Sequence, residues 1–130
     1  MKRFLYLLLN HQLTSLQKND AHNSLGVKQI VEPPETLKEL WRRIPPDMPS
    51  IDEYLNPMKQ WLYGQAHLGD YVLIQGDFGA CYLMVGYAFS LRLVPVYSTT
   101  ERRAKEELTQ DGSIKLVHRF NHHIYRLYGT

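Results

Sequence analysis

The segment RFLYLLL at residues 3–9 constrains the fold most, because it is a continuous apolar run without the spacing of an amphipathic helix. Such runs are typical of strands that are covered on both faces, as in parallel sheets. Further short apolar runs occur at VKQIV (27–31), YVLIQ (71–75) and VPVYS (94–98). We therefore predict four strands at these positions, of which the first and the third should be buried.

Helical patterns separate the first three strands. Residues Thr14 to Gln17 have the spacing of a capping box, which predicts a helix that begins near Thr14 and ends at Gly26. The segment 35–44 has apolar residues at helical spacing and predicts a second helix. Residues 50–53 repeat the capping-box pattern and predict a third, with a kink at Pro57.

The alternation of strands and helices predicts an α/β fold with a Rossmann-like, mainly parallel sheet and helices on both faces. The dipeptide Asp111-Gly112 lies between two segments that are able to pair, which predicts a C-terminal antiparallel hairpin. Residues 103–108 are also compatible with the start of a helix. At 130 residues, we expect one domain over residues 1–130.

The composition narrows the possible partners and location. A single cysteine, Cys81, excludes an intramolecular disulfide and fits a cytoplasmic location, and we expect its side chain to be buried. The net charge of +2 gives no strong field for duplex nucleic acid. The apolar part of the first segment is too short to cross a membrane, so we expect no membrane partner.

Three polar segments follow the predicted strands where ligands of open α/β sheets bind, outside the carboxyl ends. They are residues 10–14, 75–79 and 98–103. In the second, Gly76 and Gly79 allow a ligand close to the backbone, and Asp77 is a candidate cap for the next helix. This segment is equally compatible with a simple turn and with a binding loop for phosphate or adenine.

The other two segments carry candidate catalytic and phosphate-binding groups. His11 suits proton transfer or phosphate binding, or only a hydrogen bond within its loop. Thr14 has an alternative role as a helix cap. Thr99, Thr100 and Arg102 suit phosphates, or a solvated surface. The neighbouring histidines His118, His122 and His123 offer too few converging ligands for zinc, so we expect no metal and no cofactor.

The segment 80–93 is apolar almost all round and predicts a helix that is packed on both sides. A chain this small has little surface with which to cover such a helix. We therefore expect a homodimer.

The residues also resemble a known family. The Asn-His-x-Leu-Thr start at 10–14, the Gln-Gly-Asp-Phe-Gly loop at 75–79 and the Ser-Thr-Thr-x-Arg segment at 98–102 are similar, in order and spacing, to the small Csx-type proteins of type III CRISPR systems. These single-domain ring nucleases are related to the CRISPR-associated Rossmann-fold domains. The resemblance covers nearly the whole chain.

The resemblance implies a homodimer that binds cyclic oligoadenylate, most often cyclic tetra-adenylate, and cleaves it without metal to switch off antiviral signalling. The 2′-hydroxyl would attack the adjacent phosphorus and give a 2′,3′-cyclic phosphate. His11, Asn10 and Arg102 would be catalytic or would position phosphate. The ligand-binding residues would be Thr14, Gln75, Gly76, Asp77, Phe78, Gly79, Thr99 and Thr100.

Three alternatives remain open at this point. The chain could sequester the same ring without cleaving it. It could be an unrelated dinucleotide-binding Rossmann protein, although Glu32, the acidic residue after the second strand, is followed by two prolines. It could also be a structural dimer without a ligand.

Overall fold

The computed structural model describes residues 2–130, apart from the side chains of residues 103–105 and 118–120. The strands are β1 (Phe4–Leu8), β2 (Gln29–Val31), β3 (Tyr71–Ile74), β4 (Val94–Leu108) and β5 (Ile114–Leu127). The helices are α1 (Ser15–Asp20), which continues as one π-helical turn (Ala21–Leu25), α2 (Glu35–Arg42), α3 (Asn56–Gln65) and α4 (Phe78–Ser90).

All five strands form one sheet in the order β2-β1-β3-β4-β5. The first four in this order are parallel, and β5 runs antiparallel to β4. The predicted Rossmann-like, mainly parallel sheet with a C-terminal antiparallel hairpin is therefore confirmed.

Strand β1 lies inside the sheet between β2 and β3, and its alternate side chains belong to two separate cores. Tyr6 and Leu8 pack in a cluster with residues of α2, α3 and α4, including Trp41. Leu5 and Leu7 pack on the opposite face of the sheet with the α1 region. Because helices cover both faces, every position along β1 excludes polar side chains, and this produces the continuous apolar run in the sequence.

Helix α1 begins at the predicted capping box. The backbone N–H of Gln17 donates to Thr14 Oγ1 (3.2 Å), and the N–H of Thr14 donates to Gln17 Oε1 (3.0 Å). The helical segment ends at Gly26, whose φ of 66° lies in the left-handed region that glycine tolerates best. Both predicted ends are confirmed.

The second capping-box prediction is wrong. No helix begins at Ser50; residues 52–55 form turns, and α3 begins at Asn56 with Pro57 as its second residue. A proline is tolerated in the first turn of a helix, where its missing N–H has no partner to lose. Pro57 therefore marks the start of α3, and the predicted kink does not occur.

The hairpin at Asp111-Gly112 is confirmed, but its strands are much longer than predicted. Strand β4 continues past Ser98 to Leu108, and it pairs with β5 along this length. The predicted loop at 98–103 and the alternative helix at 103–108 are therefore both wrong. Residues 98–103 are polar and look like a loop when they are considered alone. Pairing with β5 provides hydrogen-bond partners for their backbone N–H and C=O groups.

Replacing Thr14 by Ala should lower the free energy of unfolding by about 1 kcal/mol, because the Gln17 N–H loses its side-chain acceptor. Urea denaturation measures the change. Thr14→Ser keeps the hydroxyl and serves as the control. An equal loss in both variants would show that the capping hydrogen bond is not the cause.

Candidate functional site at the carboxyl edge of the sheet

The loop at 75–79 is held at both ends. The N–H of Gln75 donates to the carbonyl of Leu8 (2.9 Å), so the loop leaves β3 level with the end of β1. The carbonyl of Gln75 accepts from Trp41 Nε1 (2.9 Å). Asp77 caps α4, as expected, by accepting from the N–H of Ala80 (3.0 Å). The loop is therefore a fixed platform at the carboxyl edge.

Gly76 brings this loop against the loop that follows β1. Its φ is 153°, in a region that residues with a side chain rarely adopt. A Cβ placed here would lie 2.9 Å from Trp41 Nε1 and 3.3 Å from Asn10 Nδ2. The structure thus brings Asn10 and Gly76 together, as the sequence predicts.

His11 follows Asn10 and is exposed. Its Nδ1 lies 2.8 Å from the carbonyl of Gln12. A carbonyl only accepts, so Nδ1 carries the proton, and in the neutral ring Nε2 then has the lone pair. This is the form that a general base requires.

Two cationic residues missed by the sequence reasoning share a pocket with His11. The pocket has a volume of about 220 Å³, and Lys38 and Arg42 of α2 contribute to its wall. Lys38 also pairs with Glu32 (3.4 Å). This ion pair engages Glu32, the possible ribose ligand. The helical spacing of Lys38 and Arg42 was visible in the sequence, but the sequence did not show that α2 packs beside the end of β1.

The threonines and the arginine predicted after β4 do not lie in an edge loop. Thr99 binds both the N–H of Ile124 (3.0 Å) and its carbonyl (3.1 Å), at a bulge between β4 and β5. Thr100 and Arg102 lie further along β4. At ~3.3 Å per residue, Arg102 is about 16 Å beyond the level where β3 ends. Within one chain the structure does not bring Arg102 to His11.

A buried polar network beside the edge was also missed by the sequence reasoning. Ser98 Oγ lies 2.5 Å from His122 Nδ1, and His122 Nε2 lies 2.7 Å from Asp20 Oδ2. Gln17 Nε2 donates to Ser98 Oγ (3.3 Å), and Tyr125 donates to the Gln17 carbonyl (2.9 Å). These bonds join α1, β4 and β5, so no single segment of sequence contains the signal.

The network is linked to the binding loop and holds a charged group. The N–H of Ser98 donates to Gln75 Oε1 (2.7 Å), which occupies the oxygen of this predicted ligand residue.

Burial opposes ionisation of Asp20, but hydrogen bonds from Ser24 and His122, and the charges of His122 and His123, outweigh it and lower the pKa of Asp20. Asp20 accepts only, so His122 Nε2 carries a proton.

Helix α4 is packed on one side only, which corrects the prediction that it is packed on both. Phe78, Tyr82 and Phe89 are 94%, 80% and 50% exposed. With Tyr97 they line an open apolar groove of about 750 Å³, which we call the α4 groove. Cys81, expected to be buried, is half-buried in its wall, and burial followed by the charge of Asp77 raises the pKa of its thiol to about 11.

The histidines considered for zinc do not form a site in the part of the chain that the structure describes. The side chain of His118 lies outside the described residues. His122 is engaged with Ser98 and Asp20. No group of three or more His, Cys, Asp or Glu among the described residues could hold a metal ion. Within residues 2–130, no helix is long and apolar enough to cross a membrane.

Comparison with known proteins identifies the family. The family described as "Uncharacterized protein MJ1673 family" matches residues 3–126. The chain belongs to the MJ1673 family. It is 48% identical over 124 residues to "Uncharacterized protein MJ1673" of Methanocaldococcus jannaschii, and the alignment covers 95% of each chain. No solved structure matches the chain. The edge loops and the buried network lie wholly within the range matched to the MJ1673 family.

In this member of the MJ1673 family, Gly76→Ala should destabilise the fold by about 1–3 kcal/mol, because the backbone is strained and the new Cβ meets Trp41. Gly79→Ala is the matched control in the same loop. Its Cβ would have only ordinary contacts, the nearest at 3.5 Å, and the residue is helical. It should be neutral or stabilising. Equal losses in urea denaturation would contradict this explanation.

Asp20→Asn tests the charge of the buried network. The lowered pKa means that the carboxylate stabilises the folded state above the ordinary value of 3.8, and that this contribution is lost as the pH falls through the folded pKa. Asparagine keeps an acceptor for His122 but has no charge. The variant should therefore be less stable than the parent near neutral pH, and the difference should shrink below about pH 4. A difference independent of pH in urea denaturation would contradict the assignment.

Proposed function

We propose that this protein is a ring nuclease that binds cyclic oligoadenylate, with cyclic tetra-adenylate the expected ring, and cleaves it without a metal ion in the cytoplasm. One observation carries the proposal: the loops after β1 and β3 converge at the carboxyl edge, with Asn10 Nδ2 against the position of Gly76. This is where an open α/β sheet binds its ligand. The resemblance to type III CRISPR ring nucleases supplies the ligand and the reaction.

In the proposed reaction, His11 acts as the base. Its Nε2 takes the proton of a ribose 2′-hydroxyl, and the 2′-oxygen forms a bond to the adjacent phosphorus. The bond from phosphorus to the 5′-oxygen breaks, and the proton passes from His11 to that oxygen. The products are a 2′,3′-cyclic phosphate and a 5′-hydroxyl. The reaction is an isomerisation of the phosphodiester, so it consumes no water and needs no oxidant.

The neighbouring groups would position the ring. The Asn10 amide can donate to a phosphate oxygen. Lys38 and Arg42 also lie in the pocket that His11 lines, and they would bind phosphate by exchanging it for their ion pairs with Glu32, Glu35 and Glu39. The backbone of Gly76 is exposed, and the ligand would meet it from the solvent side, because Trp41 and Asn10 fill the space of the missing side chain. Holding the 2′-oxygen in line with the leaving oxygen contributes most when these groups are fixed before binding, as the bonded 75–79 loop is.

A sequestering protein that binds the ring without cleavage is the second candidate. The position of Arg102 favours it, because this residue lies about 16 Å along the strand from the edge. A phosphorane would then lack the guanidinium that the resemblance assigns to it within one chain. Binding requires the edge loops alone, whereas turnover also requires charge stabilisation in the transition state.

The test is incubation with cyclic tetra-adenylate in EDTA, with separation of the products and a parallel measurement of binding. The expected products are linear oligoadenylates that end in a 2′,3′-cyclic phosphate. His11→Ala should lower turnover by about 100-fold or more and should affect binding less. His22→Ala is the matched control, since His22 is also exposed and its Nδ1 also lies 2.8 Å from a carbonyl, that of Val27.

The outcomes separate the candidates. Cleavage that survives in His11→Ala would remove His11 from the mechanism. Binding without cleavage by the parent would identify a sequestering protein. If neither cyclic tetra-adenylate nor the larger cyclic hexa-adenylate binds, the proposed ligand class is wrong.

A further inference from the structure

Strands β4 and β5 project beyond the sheet as a two-stranded ribbon, which we define as residues 99–123. Strand β3 pairs with β4 only as far as Val96, so the ribbon has no neighbouring strand on the β4 side. From Thr99 to Leu108 it extends roughly 30 Å at ~3.3 Å per residue. A two-stranded ribbon is marginally stable in water unless a hydrophobic face is covered.

The described side chains near the tip of the ribbon differ between its two faces. In the antiparallel register, Leu108 lies opposite Ile114, and Leu116 lies opposite Glu106. Alternation along each strand places Leu108, Ile114 and Leu116 on the same face, which we call the apolar face although it also carries Glu106. The two leucines and the isoleucine are 80%, 55% and 65% exposed, respectively. The other face, which we call the polar face, carries Glu107 opposite Lys115, next to Val117.

The α4 groove lies beside the root of this ribbon. Tyr97 lines the groove, and Thr99 begins the ribbon two residues later. The tip of the ribbon is remote from the groove of its own chain, because the strand between them is extended. A two-fold axis near the root would instead lay each ribbon across the α4 groove of a second copy.

The two surfaces together supply the area that a dimer needs. The exposed aromatic side chains of the groove offer on the order of 450 Å², at about 150–250 Å² for a full side chain. The burial of a full aliphatic side chain contributes about 1.5–3 kcal/mol, at ~25 cal/mol per Å². By this relation, the exposed parts of the three aliphatic side chains of the ribbon add an area on the order of 200 Å². Their sum approaches the ~800 Å² that each partner buries in a stable interface, whereas neither surface does so alone.

We propose that the protein is an arm-exchanged dimer in which the apolar face of each ribbon docks in the α4 groove of its partner. The polar face with Glu107 and Lys115 then remains in solvent. The proposal specifies which surfaces meet in the expected homodimer, and it does not depend on the ligand or on the reaction proposed above.

Cross-linking between single cysteines tests the contact in the full-length protein without any ligand. In a Cys81→Ala background, Gly86→Cys marks the groove, because a Cβ at Gly86 has open space around it. Leu116→Cys marks the apolar face of the ribbon, and Lys115→Cys is the matched control on the polar face. The Gly86→Cys protein and each ribbon variant carry tags of different size. The Gly86→Cys protein is mixed with one ribbon variant at a time and treated with a short bismaleimide.

The expected result is a cross-linked product between positions 86 and 116 and no such product between positions 86 and 115. Equal yields with both ribbon positions would overturn the proposal. So would efficient linking of Gly86→Cys to itself, which would mean that the grooves of two copies cover each other.

The association itself provides a second readout. The parent should be dimeric by light scattering, and Leu108→Lys with Leu116→Lys should shift it to monomer. The charge-reversed pair Glu107→Lys with Lys115→Glu should leave the dimer unchanged. A monomeric parent, or a dimer that tolerates both lysines on the apolar face, would overturn the proposal. Circular dichroism establishes that each variant is folded.

Discussion

The carboxyl edge of the sheet depends on three hydrogen bonds made by one residue, Gln75. Its N–H binds the end of β1, its carbonyl accepts from Trp41 of α2, and its side-chain oxygen accepts from Ser98 of β4. Two neighbouring strands and a helix are thereby held at one point. The loop conformation that brings Gly76 against Asn10 follows from this anchoring, and the candidate site is consequently ordered before any ligand arrives.

The polar residues at this edge divide between support and contact. Thr14 and Asp77 cap helices, and Thr99 binds the bulged backbone of Ile124. Their oxygens are already used, so a ligand would compete with the fold for them. The side chains of Asn10, His11 and Gln12 in the loop after β1 are exposed, and the proposed proton transfer is assigned to His11. The capping and bulge residues fix the geometry of the edge.

Local signals predicted most of what is local in the fold, although the capping-box pattern at residues 50–53 does not begin a helix. The double burial of β1 and the cap at Thr14 are written in adjacent residues, and so is the turn at Asp111-Gly112. The sequence misled where a distant partner decides the outcome. Residues 98–103 are strand because β5 pairs with them, and His122 is buried because Asp20, 102 positions away, meets it. In the same way, α2 carries Lys38 and Arg42 to His11 only after the chain has folded.

The bulge at Thr99 decides which side chains of β5 share a face of the ribbon. Between the pairs Ser98–Tyr125 and Thr100–His122, β5 contains one residue more than β4. The extra residue shifts the alternation of β5 by one position, so Tyr125 and His122 both face α1 although they are three residues apart. Evolution could lengthen or shorten the ribbon at its tip by residue pairs without disturbing the sheet. A single deletion between the bulge and the tip of β5, in contrast, would turn the side chains on one side of it to the opposite face.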